Sequence, residues 1–298
     1  MTFRVEKGKI YKYDNFMAVK TMNLKDMRLF LFDMDGTIYL GYDLFPFTKE
    51  LLETIRAQGK KYLFMTNNSS MNVSAYVEKM KKLGIEAVED DFITSAQVTA
   101  MYLTANYAGK KFYVSGTRSF VDELKSSKAI ITEEYSDDIE GVVMGYDTEL
   151  TFKKLWNISK ILTEKDVPYI AANPDLVCPT EFGFVPDCGS VAEMIYNATG
   201  KRPHFIGKPR PEMPLFAIER MAKDDPTITI DTTLVIGDRL YTDIACGLNA
   251  GAHTLLVFSG ETTREQAAIS PYQAEFKLAD CGELLKILKE DTLSGGKK

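Results

Sequence analysis

Two aspartates, two residues apart, close an apolar run in Asp33-Met34-Asp35-Gly36-Thr37. In extended backbone, residues at that spacing point to the same side, so both carboxylates can enter one cleft. Their mutual repulsion then calls for a cation, or for protonation of one of them. A second acidic pair, Asp238 and Asp243, sits in Gly237-Asp238-Arg239-Leu240-Tyr241-Thr242-Asp243 behind another apolar run. Asp238 takes the strand tip. Asp243 falls in the first turn of the following helix, where a carboxylate meets the positive end of the helix dipole. A third carboxylate beside the first two makes an oxygen-rich site suited to octahedral Mg²⁺. Thr66-Asn67-Asn68-Ser69 adds a hydroxyl and exposed backbone N–H groups ahead of a helix, a ready anion site. Gly207-Lys208-Pro209 fixes a lysine in a turn, able to supply a cation to a phosphate or to Asp33. Each element also has a plain structural use. The first pair suits a solvated turn, Asp238, Asp243, Asn68 or Ser69 suit helix caps, and lysines commonly sit on the surface.

The elements that must position these groups follow from short apolar runs without alternation. Leu29 to Phe32, Lys61 to Met65, Leu234 to Ile236 and Leu255 to Phe258 all end abruptly in polar residues. Such runs suit strands buried on both faces, as in a parallel sheet. Amphipathic stretches separate them, Lys49 to Gln58 before Gly59 and Val73 to Leu83 before Gly84. Strands alternating with helices predict an α/β fold with a doubly wound, Rossmann-like parallel core and right-handed crossovers. Ligands of such sheets bind beyond the carboxyl ends of the strands, where the polar clusters lie.

A middle block has its own α/β rhythm: strands at Lys111 to Val114, Gly141 to Met144 and Pro168 to Ala171, with helices at Phe120 to Leu124 and Thr151 to Leu162. Asn173-Pro174-Asp175 and Pro179 mark loops. The expected division is an N-terminal extension over 1–28, a core over 29–107 and 202–298, and an inserted α/β cap over 108–201. The extension carries seven basic and three acidic residues and reads as a solvated arm or an edge strand, with a functional basic arm as the alternative.

Composition bounds the partners. The 298 residues are 45% hydrophobic and 26% charged, with net charge −6. An acidic chain has no global attraction to duplex nucleic acid or to an anionic membrane, so neither is expected as a partner. Four cysteines without a CxxC pair, and two histidines, argue against zinc fingers and a disulfide scaffold. No run is long and apolar enough for a transmembrane helix and no signal peptide is apparent, so a cytoplasmic protein is expected.

The four chemical clusters, in this order and each at an element boundary, resemble those of the haloacid-dehalogenase-like hydrolases, whose motifs are DxDGT, a Thr/Ser at a strand end, a Lys and GDxxxTD. Thr66 to Ser69, Asn173-Pro174-Asp175, the stretch from Gly189 to Gly200 and Gly207-Lys208-Pro209 are similar to the NagD and p-nitrophenyl phosphatase subgroup. The resemblance spans residues 28–280 and includes the large insert. The N-terminal segment departs from bacterial members. The resemblance implies a Mg²⁺-dependent phosphatase acting on a small phosphorylated metabolite: a nucleotide, phosphoglycolate, pyridoxal phosphate or a sugar phosphate. Asp33 would be the nucleophile that forms an aspartyl-phosphate, and Asp35 the acid and base. Mg²⁺ would be held by the Asp33 carboxylate, the Asp35 carbonyl and Asp238, with Asp243 acting through water or by orientation. Thr66, the Asn67 amide and Lys208 would bind phosphate, Lys208 also reaching Asp33. Asn173 and Asp175 would face the substrate from the cap, or form a simple Asx-Pro turn. Homodimers through the cap are frequent in the subgroup, so a homodimer is an expected partner. A phosphotransferase or phosphomutase on the same core, and a non-catalytic phosphometabolite-binding protein, are the competing readings.

Residues outside these motifs read as structural. Trp156 is assigned to the cap core, His253 to a strand start, His204 to the surface and Cys246 to tight helix packing. Cys178 and Cys188 flank a loop, and their reactivity stays open.

Overall fold

The computed structural model describes residues 3–6, 9–12, 23–180 and 182–290. A six-stranded, all-parallel sheet forms the core, in the order Phe276–Leu278, His253–Val257, Thr233–Gly237, Leu29–Phe32, Lys61–Thr66, Phe92–Thr94. Leu29–Phe32 and most of its two neighbours are buried on both faces, as their unbroken apolar runs require. One face packs against helices Thr48–Ala57, Val73–Lys82 and Cys281–Lys289, and the other against Ser95–Asn106 and Glu212–Met221. Strand Leu29–Phe32 leads to Lys61–Thr66 on one side and abuts Thr233–Gly237 on the other. The chain therefore changes direction across the sheet at this strand, a switch point that opens a crevice at the strand ends.

A second, five-stranded parallel sheet, in the order His204–Phe205, Tyr169–Ala171, Gly141–Met144, Lys111–Ser115, Ile130–Thr132, is inserted after helix Ser95–Asn106. Helices Phe152–Glu164 and Cys188–Thr199 cover its outer face. An antiparallel ribbon, Val177–Thr180 with Gly183–Pro186, leaves its end and reaches the crevice. The fold is thus an α/β core with an inserted α/β cap.

Several expectations shift. The division at 202 would give His204–Phe205 to the core, but its hydrogen-bonded neighbour is Tyr169–Ala171 on the cap sheet. Residues 23–28 are not part of a free arm. Leu24 and Met27 are buried in the core cluster, and Asn23 caps a turn at Leu24–Asp26. Phe3–Glu6 and Lys9–Lys12 pair with each other in an antiparallel ribbon, and the rest of the expected extension lies outside the described residues. Trp156 is not core but 64% exposed on the outer face of the cap, while Ile158 on the same helix is fully buried. His204 is only partly exposed, stacked on Tyr102 with ring centroids 5.2 Å apart. His253 bridges Glu275 and the Asp231 carbonyl, and Cys246 is buried against the Arg210 carbonyl. Among the described residues no helix is long and apolar enough to cross a membrane.

Candidate active site

Asp33 follows strand Leu29–Phe32, and its N–H donates to the Ile236 carbonyl at 2.8 Å, extending the ladder by one residue. The chain must then turn sharply. Gly36 does this at φ +82°, and a Cβ there would lie 2.6 Å from the Asp238 carboxylate. Glycine is thus needed twice, for the left-handed backbone and for the close approach. Asp238 follows strand Thr233–Gly237 and is 2% exposed. One of its oxygens accepts from the Glu261 N–H at 2.6 Å, and the other, Oδ1, is buried with no hydrogen-bond partner. The chain beyond it winds through a π-helical turn, Leu240–Ile244, into helix Ala245–Ala250. That turn aims Asp243 back at the site, where it is fully buried.

One carboxylate oxygen from each of Asp33, Asp238 and Asp243 lies within 4.8 Å of the others. Lys208 Nζ stands among them, 2.5 Å from Asp33 Oδ1, 2.6 Å from Asp243 Oδ1 and 3.3 Å from the Met65 carbonyl. Burial pulls the Lys208 amine down, but Asp243 and Asp33 outweigh it and hold the ammonium charged well above its usual range. Burial, then the charge of Asp33, push both Asp238 and Asp243 above the ordinary carboxylate range. Asp243 spends both oxygens on protein donors, Lys208 Nζ and the Arg239 N–H at 3.1 Å. Asp238 Oδ1 has none. An orphaned buried carboxylate oxygen among oxygen donors fits a hard divalent cation, with Asp33 and Asp238 as the available ligands and Asp243 as an orienting group.

Asn67 ties the remaining parts together. Its side chain accepts from Lys208 N–H at 2.7 Å and donates to the Lys208 carbonyl at 2.9 Å and to Asp175 Oδ2 at 3.0 Å. Its own carbonyl accepts from Ser95 Oγ and from Asn173 Nδ2. The side-chain amide is therefore fully occupied in placing Lys208. Thr66, at the end of strand Lys61–Thr66, borders the same cavity as Asp33, Asp35, Asn67, Lys208 and Asp175, a space of about 230 Å³.

The cap pair divides. Asp175 lines this cavity. Asn173 does not face it as expected: it is fully buried, because its amide is turned inward onto Asn67. Three further charged groups at the cavity were not singled out in the sequence. Arg239 lies inside the GDxxxTD stretch and pairs with Glu261 at 2.9 Å. Lys79 donates to Tyr39 Oη at 3.0 Å and lies 4.1 Å above that ring. Helix periodicity places Lys79 near the apolar Tyr76 and Met80, the only sequence signal for its inward position. Asp187 caps helix Cys188–Thr199 and carried no signal beyond that.

Comparison with known proteins identifies the family. The profile of the haloacid dehalogenase-like hydrolases matches residues 30–129, and a second profile, HAD-hydrolase-like, matches 205–284. The 4-nitrophenylphosphatase of Thermotoga maritima is 34% identical, with a TM-score of 0.80 over 88% of this chain and 98% of that one. The glycerol phosphate phosphatase of Mycobacterium tuberculosis, solved in complex with magnesium, is 28% identical with a TM-score of 0.80, covering 89% of this chain and 78% of that one. An acid sugar phosphatase of Staphylococcus aureus is 29% identical over 90% of this chain and its own full length. On these matches, the chain belongs to the haloacid dehalogenase-like hydrolases, in their NagD-like and p-nitrophenyl phosphatase branch.

Proposed function

We propose that this phosphoric monoester hydrolase cleaves a small phosphorylated metabolite with magnesium, through an intermediate on Asp33. The observation that carries the reading is the joint placement of Asp33, Asp238 and Asp243 around Lys208, beneath a cap. Relatives acting on sugar phosphates, glycerol phosphate and 4-nitrophenyl phosphate support it.

In this reading Asp33 attacks phosphorus and the phosphorus–oxygen bond to the leaving group breaks. Asp35, two residues on and in the same cavity, gives its proton to the departing oxygen. It then takes a proton from the water that cleaves the aspartyl-phosphate, which regenerates the Asp33 carboxylate and the Asp35 acid. Lys208 holds Asp33 in line and neutralises phosphate charge. Thr66 Oγ1 and the Asn67 backbone N–H bind the phosphate oxygens. Asp33, Asp238 and the Asp35 carbonyl would hold magnesium, which offsets repulsion between the nucleophile and the incoming dianion. Asp243 orients Lys208 through its 2.6 Å contact.

The test is release of phosphate from p-nitrophenyl phosphate and from glycerol and sugar phosphates, with Mg²⁺ or EDTA, beside Asp33→Asn. Turnover should need Mg²⁺ and fall by at least about a thousandfold in the variant, because the covalent route is lost. Full activity of Asp33→Asn, or transfer of phosphate to a sugar in place of water, would overturn the reading.

A further inference from the structure

Lys79 is turned inward from helix Val73–Lys82, while Lys81 and Lys82 of the same last turn stay in solvent, where cations favour that end of a helix. Its Nζ donates to Tyr39 Oη at 3.0 Å and stands 4.1 Å from the centre of that ring. An ammonium carries three protons, so two remain for solvent or a ligand. Among the described residues no carboxylate lies within ion-pair distance of Lys79, whereas Lys208 has Asp33 and Asp243, and Arg239 has Glu261. Burial pulls the Lys79 amine below its ordinary range, opposed only by the charge of Asp35. A half-buried cation without a counter-charge weakens a fold, and a neutral donor would serve Tyr39 as well.

Two cavities meet at Lys79, Arg239 and Asp35. The inner one, of about 230 Å³, holds Asp33, Thr66 and Lys208. The outer one, of about 620 Å³, is bordered by Leu40 and Tyr42 of the core and by Thr180 and Phe184 of the cap ribbon. Asp35 serves the departing oxygen, so the group attached to that oxygen passes Lys79 between the inner cavity and the outer one. Resting on the phosphatase reading above, we infer that Lys79 is a specificity-determining residue that binds a second anionic group, a carboxylate or a second phosphate, on the leaving group. The acidic residues of the site are otherwise engaged. Asp33 is paired with Lys208 and Glu261 with Arg239, and burial raises the carboxyls of Asp175 and Asp187, which favours their uncharged forms. An anion offered to a half-desolvated ammonium forms strong, charge-assisted hydrogen bonds. A neutral leaving group leaves that cation unpaired and is disfavoured.

The test uses two matched pairs of esters in wild type, Lys79→Met and Lys79→Arg. 3-Phosphoglycerate differs from glycerol 3-phosphate by a carboxylate in place of a hydroxymethyl group. Fructose 1,6-bisphosphate differs from fructose 6-phosphate by a second phosphate. Wild type should show the higher kcat/KM on the anionic member of at least one pair, beyond the doubling that a second reactive phosphate supplies, and which pair responds tells carboxylate from phosphate. A hydrogen bond between charged groups is lost in Lys79→Met, so the kcat/KM ratio of that pair should fall roughly 10- to 100-fold, mainly through KM. Lys79→Arg keeps the charge and should keep most of the preference. A wild type that favours the anionic member of neither pair overturns the inference, whether or not the variants fold. So does an unchanged ratio in Lys79→Met shown by circular dichroism to be folded: rates that fall equally on both members would assign Lys79 to supporting Asp35. p-Nitrophenyl phosphate separates the two readings. A wild type that hydrolyses it without favouring anionic leaving groups keeps the phosphatase reading and loses this one, whereas a wild type inactive on every ester loses both.

Discussion

Gly260 approaches Asp238 so closely that a Cβ there would sit 2.0 Å from Oδ2 and 2.8 Å from the aspartate's own Cβ. Together with Gly36 on the other side, it walls the carboxylate in and removes it from water. Burial and the adjacent Asp33 therefore raise the Asp238 pKa. The sign of the consequence follows from linkage. A carboxyl that holds its proton to higher pH in the folded than in the unfolded chain gives the folded state more bound protons between the two pKa values. Its contribution to stability is complete below the ordinary carboxylate range, about pH 4, and is lost as pH rises through the raised value. A divalent cation reverses this, because it binds the deprotonated form. The rise in Tm on adding Mg²⁺ to EDTA-treated protein should therefore grow with pH above about 4 until Asp238 is ionised. Calorimetry across that range checks it, and a Mg²⁺ shift that is flat or falls with pH would contradict it. At this scale the sequence was most informative: a carboxylate behind an apolar run, with a glycine close by, announces its position. Asp187 was opaque because a residue that caps a helix and one that also lines a cavity share the same local sequence.

Between residue and fold stands the segment Thr66 to Ser69, which the sequence presented as an anion site and which, with Ser70, also proves to be the joint between core and cap. Ser69 Oγ accepts from the Tyr146 N–H at 2.8 Å, Thr117 Oγ1 donates to the Ser70 carbonyl at 2.9 Å, and Asn67 holds both backbone groups of Lys208. The returning chain is pinned so tightly that a Cβ on Gly207 would meet Asn67 Oδ1 at 2.5 Å and the Ala172 carbonyl at 2.7 Å. Removing the Asn67 side chain strands the Lys208 N–H and an oxygen of Asp175. Each buried group left unpaired costs about 1–3 kcal/mol, so Asn67→Ala should lose about 3 kcal/mol of stability. Its kcat should drop as well, because Lys208 loses its fixed placement. Urea unfolding with parallel kinetics measures both, and a stable variant with slowed turnover would separate the two effects. The strands of the core were legible for the reason that this joint was not. A strand's burial is written in its own apolar run, whereas the joint depends on side chains 28 to 141 residues apart in sequence.

At the scale of the molecule, the insert is not a lid on a free tether. Phe112, Val114, Phe120, Val143, Ile170 and Ile206 from the cap side share one buried cluster with Leu29, Leu31, Leu63, Met65 and Ile93 of the core sheet, bridged by helix Ser95–Asn106. The alternation of strands and helices revealed two α/β units, yet it could not reveal that the units share a core, since apolar periodicity names a face and not its partner. A shared cluster couples their stabilities. Phe120 is the sharpest probe: it is fully buried, and Cβ atoms on Gly116 and Gly145 would each press into its ring. Phe120→Ala empties that volume at a cost of about 3–5 kcal/mol. If the two units unfolded independently, only the cap would feel the loss. With one core, the amides of Gly141–Met144 in the cap and Thr233–Gly237 in the hydrolase sheet open together, and the variant should lower the opening free energy of both by a similar amount. Native-state hydrogen exchange on wild type and Phe120→Ala reads this directly. Loss of protection confined to Gly141–Met144 would show that the core sheet stands without the cap.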